Sequence, residues 1–338
     1  MARGIGQYIL VRALMIIPTV LILYTVVFII LRILPGDPIT AILGTKNIPP
    51  EQLAALRKQL GLDQSLVTQY FDYLYKAAFH LDFGTSMTIR GRPIWEDIKT
   101  RFPRTLELTL YGFTISVILG VLTGLIAAKK GGKIDLSMRI YSIIAYTLFI
   151  PWFGLMLQLI FGIWLGWLPT SGILDAGVHI KHITGMNTLD ALLTGNWTGL
   201  KSALRHIILP SLTLGIVLSG AYTRLVRANV AEVLSMDYIR AYRVHGIPEY
   251  KVTLYALKNA FVPIVTLMGL QFAILLGGAV LTETTFSWPG MGTYLVHAIE
   301  SRDYPAIQGT VIFFSFLVGL ISLIVDVVYA LIDPRIKY

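Results

Sequence analysis

The sequence predicts an all-α membrane protein with six transmembrane helices, and three observations carry that prediction. Only 14% of the 338 residues are charged and 55% are hydrophobic, against about 25% charged in ordinary soluble domains. Mean hydropathy is +0.69. Long apolar runs recur along the chain, and Lys and Arg gather in the short segments between them.

A helix needs about 20 residues to cross about 30 Å of hydrocarbon. Six runs qualify: 9–31, 106–128, 139–165, 207–225, 260–281 and 307–331. The first has Arg3 before it and Arg12 near its start, as a signal peptide would. It is too long for a signal h-region and lacks a small-residue cleavage site, so it is read as a retained helix. The short loop 129–139 holds Lys129, Lys130, Lys133 and Arg139 against Asp135, and 224–258 holds Arg224, Arg227, Arg240, Arg243, Lys251 and Lys258. The tail adds Arg335 and Lys337, whereas 282–306 carries Glu283, Glu300 and Asp303 against Arg302. The positive-inside rule then places both termini in the cytoplasm of a multi-pass protein of the cell membrane. The basic stretch 34–104 falls outside, and loops above about 60 residues cross regardless of charge. Trp164 and Trp167 mark the outer end of the third span.

The chain divides into 1–33, the N-terminus and first span; 34–104, an external helical loop domain; 105–331, a five-helix core containing the cytoplasmic loop 226–258; and 332–338, a cytoplasmic tail. Within 34–104, Pro49, Pro50 and Glu51 open a helix through Leu53, Leu56 and Leu60 that Gly61 ends. A second helix is expected over Val67 to Phe79 and a third, amphipathic, over Pro93 to Phe102. Loop 166–206, with Pro169 and several glycines, reads as irregular.

Several chemistries are excluded or disfavoured. Without cysteine there are no disulfides or thiolate metal sites. The net charge of +9 is explained by cytoplasmic loops rather than nucleic acid. No His-Glu-x-x-His motif occurs, and Ser219-Gly220 lacks the first glycine of a nucleophile elbow. Ala127 to Lys133 lacks phosphate-loop spacing, so ATP is not hydrolysed by this chain. His179, His182 and His206 have no supporting carboxylate pattern, and no metal site is expected. Asp326, the one carboxylate well inside a span, is read as a partner for a cytoplasmic Arg rather than as an ion relay. Polar span residues that line an aqueous path or bond between helices include Tyr146, Gln158, Thr213, Ser219, Thr266, Gln271 and Ser315. Gly120-x3-Gly124 and Gly162-x3-Gly166 permit close helix packing.

The segment 224–263 is a charged insert between two apolar spans. Its first part continues the fourth helix. Ser235 or Asp237 is expected to cap a new turn, which carries Tyr238, Ile239, Arg240, Ala241, Tyr242 and Arg243. Gly246 permits a chain reversal, and Pro248 with Glu249 opens a helix that runs through Pro263 into the fifth span. The result is a short helix lying across the ends of two long ones. Its mixed charge and few apolar anchors fit a groove on a soluble partner better than a lipid surface.

Here the chain resembles a known family. Arg240-Ala241-Tyr242-x3-Gly246 stands where permeases of ATP-binding-cassette (ABC) importers have Glu-Ala-Ala-x3-Gly. The fuller pattern is similar to dipeptide/oligopeptide (peptide/nickel) permeases, the first of the two subunits. It runs from Leu34-Pro35-Gly36-Asp37-Pro38 through Phe83-Gly84-Thr85-Ser86, Trp167-Leu168-Pro169-Thr170-Ser171-Gly172 and Asp237 to Gly246. It continues with Asn259-Ala260-x2-Pro263, Phe286-Ser287-Trp288-Pro289-Gly290, Asp303-Tyr304-Pro305 and Asp333-Pro334-Arg335. Arg240 and Tyr242 depart from the general pattern toward the peptide subfamily, so no Glu contact is carried over.

The resemblance implies a type I ABC importer permease fold and alternating access, driven by ATP and Mg on separate ATPase subunits, with no cofactor on this chain. Implied partners are a second homologous permease, two ATPases, an external solute-binding protein and membrane lipids. ATPase coupling would fall on Ser235, Asp237, Tyr238, Arg240, Ala241, Tyr242, Arg243, Gly246 and Pro248. The implied cargo is di- or oligopeptide, with oligosaccharides or nickel complexes as alternatives. A channel or ion-coupled carrier is the rival from another class, and it calls for paired intramembrane charges or internal symmetry.

Overall fold

The computed structural model describes residues 5–33, 51, 63–88 and 91–332. The expected helix over Leu53 to Gly61, the Leu34–Pro38 motif and the tail with Asp333, Pro334, Arg335 and Lys337 lie outside the described residues. Every regular element among the described residues is a helix.

Two helices form the axis. Helix α3 (Ile94–Lys130) and helix α7 (Trp197–Leu234) are 37 and 38 residues long, each over 50 Å at about 1.5 Å per residue. Small residues let their backbones approach. A Cβ on Gly124 would lie 2.7 Å from Val226 Cβ and 2.9 Å from Thr223 O, and one on Gly120 would strike Tyr222. The Gly120-x3-Gly124 motif is therefore a packing face, and Thr123 and Thr223 close it with a 2.7 Å hydroxyl contact. The amphipathic run expected as a separate helix at 93–102 is instead the first part of α3. Ile94 and Ile98 are buried on the same face as Thr105, Leu108 and Gly112. That continuous face outweighs the N–H that Pro103 removes from the helix.

Two other spans do bend. Helix α4 (Gly132–Thr147) is followed by α5 (Ile150–Leu157), which widens into a π-helical segment, Gln158–Trp164; the two halves meet at 103°. The reading of 139–165 as one rod is corrected. Pro151 removes an N–H and clashes with the carbonyl four residues back, at Thr147, where α4 ends. The same relation recurs downstream. Helix α9 (Glu249–Asn259) meets α10 (Phe261–Gly278) at 57°, and Asn259 lies four residues before Pro263. The expected continuous helix from 249 into the fifth span is thus kinked at Ala260.

The remaining helices are α1 (Ile5–Ile33), α2 (Leu66–His80), α6 (Asn187–Leu193), α8 (Asp237–Val244), α11 (Val280–Thr285), α12 (Met291–Glu300) and α13 (Tyr304–Ile332). Loop 166–206 is less irregular than its composition suggests, since it holds α6 and the first turns of α7. Helices α1 and α13 pair, and Arg12 meets Asp326 at 3.3 Å, the ion pair expected for that carboxylate. At the opposite end Tyr24, Phe28, Phe83, Ile94, Ile98 and Tyr304 share one core, which anchors α2 to α1, α3 and α13. Among the described residues four helices are long and apolar enough to cross a membrane, or up to six if each bent pair is one span.

Candidate coupling site

Helix α8 is joined to α7 by two residues. Ser235 ends α7, and its hydroxyl donates back to Glu232 O at 2.7 Å. The expected capping of α8 by Ser235 or Asp237 is corrected. Met236 is the N-cap, extended at φ −72° and ψ 148°, with no side-chain cap. Ser235 is occupied by the helix before it, and Asp237 is already inside α8.

The far end of α8 is a Schellman motif. Ile247 N–H donates to Tyr242 O and Gly246 N–H to Arg243 O, both at 3.0 Å. Gly246 has φ +73°, the left-handed conformation this motif requires. Pro248 then caps α9.

One face of α8 is fixed to the protein. Ile239 is fully buried among Val226, Val230 and Val233 of α7 and Val252 and Ala256 of α9. Small and β-branched neighbours let a helix with one large apolar anchor seat closely. Tyr242 packs on Tyr255 and Tyr238, with ring centres 5.5 and 5.8 Å apart. Asn259 donates to Tyr238 Oη at 3.1 Å, and Arg243 Nε pairs with Glu249 at 2.8 Å across the turn. The other face is open. Asp237, Arg240, Ala241 and Val244 are all exposed, Val244 by 85%, and their spacing of i, i+3, i+4, i+7 is one helical stripe. Arg240 reaches Asp237 at 3.5 Å within that stripe.

Beside this platform, Asp135 at the start of α4 accepts from Arg227 of α7, Nη2 at 2.9 Å, and from Arg139. This bridge ties α4 to α7 at the same end as α8.

The polar span residues fall into two groups. Gln158 donates to Thr170 O and Thr285 O at 2.7 and 3.0 Å. Ser219 is buried and meets Tyr141 Oη at 2.6 Å, while Thr213 and Ser315 are buried and bond to carbonyls one turn back. Tyr146 is 57% exposed with Arg224 over its ring, and Thr266 is exposed. Gln271 is half-buried. The structure does not gather these seven at one place.

At the opposite end, buried carboxylates that the sequence reading did not assign to any site hold the loops. Glu107 accepts from Asn187 N, Thr188 N and Thr188 Oγ1. Asp303 accepts from Ser86 Oγ, Met87 N, Thr88 N and Thr88 Oγ1. Glu283 accepts from Thr105 Oγ1 and Thr293 N; burial pushes its carboxyl up, and these donors only partly offset that. At Asp190 burial also pushes upward, but the Thr184 hydroxyl and the amides of Thr184, Ile183 and Gly185 outweigh it and hold the carboxyl below its ordinary range. His182 lies 3.6 Å from Asp190 and His206 bonds Ser202 O. No three candidate metal ligands converge among the described residues.

Residues 120–338 match the family model described as the binding-protein-dependent transport system inner membrane component, and residues 5–109 match that of the corresponding membrane component's N-terminal part. The chain is 39% identical over 326 residues to the di/tripeptide transport system permease protein of Pseudomonas aeruginosa, covering 96% of each. It is 36% identical over 337 residues to the dipeptide transport system permease protein of Escherichia coli, covering 98% of this chain and 99% of that one. It is 39% identical over 339 residues to the glutathione transport system permease protein of Salmonella typhi, again covering 98% and 99%. Glycine-enforced packing of two long helices, a short helix with one buried face and one open stripe, and these full-length matches agree: the chain belongs to the binding-protein-dependent transport system inner membrane components, the membrane permeases of ABC importers.

Proposed function

We propose that this chain is the translocation subunit of an ATP-driven importer of short peptides. Its termini lie in the cytoplasm and α8 docks into a separate ATPase. The observation that carries the coupling role is the open stripe Asp237, Arg240, Ala241 and Val244, on a helix whose opposite face is locked by Ile239 and Tyr242. A docking element that transmits force needs both: a free face to engage and a fixed face to pull. Peptide cargo is supported by the relatives, whose names specify dipeptides, di/tripeptides and glutathione.

The complete importer in this reading has a second homologous permease, two ATPases carrying ATP and Mg, and an external binding protein that meets the loop-rich end. Nucleotide shifts the equilibrium between inward- and outward-facing states only through its different affinity for the two. Tyr146, Thr266 and Gln271 are the path candidates on open or half-open surface; Gln158, Thr213, Ser219 and Ser315 serve as bonds within the chain.

The test is reconstitution of the complex in proteoliposomes with ATP in the compartment facing α8. Labelled dipeptide uptake that requires ATP and the ATPases is expected. Uptake by this chain alone would refute the coupling role. Import of an oligosaccharide or a nickel complex without peptide would refute the cargo.

A further inference from the structure

A polar cleft lies between α1, α2 and the start of α13, outside the coupling site and apart from the path candidates. Its volume is about 220 Å³, and its lining includes Arg32, Gln69, Asp72, Lys76, Asp82 and Gln308. Two of its donors are buried without an acceptor among the described residues: Nη1 of Arg32 and Nε2 of Gln308, the latter in a side chain only 3% exposed. Buried donors are rarely left unpaired, because each forfeits its hydration. The Arg32 guanidinium is fixed, not mobile: Nη2 donates to Gln69 Oε1 at 3.1 Å and the plane lies 3.7 Å over the Phe28 ring. Among the described residues its positive charge meets a neutral amide and a ring, whereas Lys76 is matched by Asp72 at 2.8 Å. The unsatisfied need is for an acceptor with negative charge.

The cleft is not simply an anion hole, because Asp72 and Asp82 line it too. Asp82 accepts from Gly84 N at 2.8 Å and keeps its second oxygen for another donor. Asp72 is offset by Lys76, so the repulsion that phosphate or a lipid phosphate group would meet comes from Asp82. A molecule with a carboxylate at one end and an ammonium at the other is complementary to both sets.

We propose that this cleft binds a small zwitterion of short-peptide chemistry, with Arg32 and Gln308 holding its carboxylate and Asp82 facing its ammonium. The proposal rests on the peptide reading above and adds a site on this subunit, at the loop-rich end.

The test uses the assembled importer in lipid nanodiscs without its binding protein, with alanyl-alanine as the probe and saturation-transfer NMR as the readout of weak binding. Alanyl-alanine amide lacks the carboxylate and N-acetyl-alanyl-alanine lacks the ammonium. Each should bind about tenfold more weakly than the dipeptide, the scale of one charge-assisted contact. Arg32→Gln and Gln308→Met should each weaken the dipeptide by a similar factor and remove the preference over the amide. Equal binding of dipeptide and amide, or wild-type binding by both variants, would overturn the site. The ligand comparison needs no variant, so a misfolded mutant does not void it. A wild-type importer that takes up dipeptide with its binding protein, yet shows no such preference here, loses the site only. One that takes up no dipeptide loses the cargo reading.

Discussion

Replacing Gly246 with valine isolates the conformation of the α8–α9 turn from its contacts. A Cβ built on Gly246 meets nothing within 4 Å, so the substitution creates no clash with the rest of the chain. What it opposes is φ +73°. The left-handed region costs an L-residue about 1–2 kcal/mol, and a β-branched side chain more. The Schellman bonds from Gly246 and Ile247 to Arg243 and Tyr242 hold the end of α8 against α9, so this cost falls on the angle between them. A penalty of that size reduces the population of the native turn by about 5–30-fold. The assay is ATP hydrolysis and peptide uptake measured on the same proteoliposomes. Peptide imported per ATP should fall about tenfold in Gly246→Val while the complex still assembles. Gly246→Asn should stay near wild type, since Asn tolerates the left-handed region. An unchanged ratio in the valine variant, or equal loss in the asparagine variant, would refute the argument.

Gly120→Val should weaken the α3–α7 seam by more than the usual 1–3 kcal/mol of overpacking, because the new Cβ meets Tyr222 and the Ser219 backbone; thermal unfolding in detergent measures it. Asp135→Asn leaves Arg227 and Arg139 without their shared carboxylate. With both guanidiniums partly solvated, a loss of about 1–2 kcal/mol is expected in the same assay. Two loop carboxylates should show opposite pH behaviour by hydrogen exchange. Asp190 is held below its ordinary value, so its stabilisation of Ile183–Gly185 is present above about pH 3.9 and lost as pH falls through the folded value. Glu283 is pushed up, so protection at the α11–α12 corner should decline as pH rises above about 4.3 toward the folded value. Asp190→Asn and Glu283→Gln should each flatten their own profile.

Sequence made some of this legible and hid the rest for identifiable reasons. The spans follow from composition, because a bilayer demands long apolar runs. The end of α8 was also readable, since Gly246 followed by Ile247 and Pro248 is a local signal. The bends were not. Pro151 and Pro263 end helices four residues upstream, yet Pro103 and Pro210 sit inside unbroken α3 and α7. Which proline breaks its helix depends on whether a packed partner compensates, and α3 and α7 compensate each other. Ser235 looked like a cap because capping residues are local signals, but which of two adjacent helices claims the hydroxyl depends on where the chain turns. The loop carboxylates were hidden by distance. Glu107 finds Asn187 and Thr188 about 80 residues away, and no window of sequence contains both.

These contacts also bear on how a displacement of α8 would travel. Ile239 sits against α7 at Val226 and Val230, and α7 continues without a break to Trp197 at the loop-rich end. Along that length it is joined to α3 by glycine contacts that leave no room to slide. At the far end Glu107 of α3 holds the start of α6, and Thr105 of α3 bonds Glu283 and Met291 N. The α3–α7 pair therefore behaves as one strut that carries the loop face with it. The bent pairs α4–α5 and α9–α10 both pack against that strut, each with a break four residues before or at a proline that removes one N–H from the helical ladder. An ATPase that moves α8 would thus rotate the strut against its kinked neighbours rather than bend it. The consequence is specific: Pro151→Ala and Pro263→Ala, which permit straight helices, should impair uptake without weakening the ATPase contact proposed at Asp237, Arg240 and Val244.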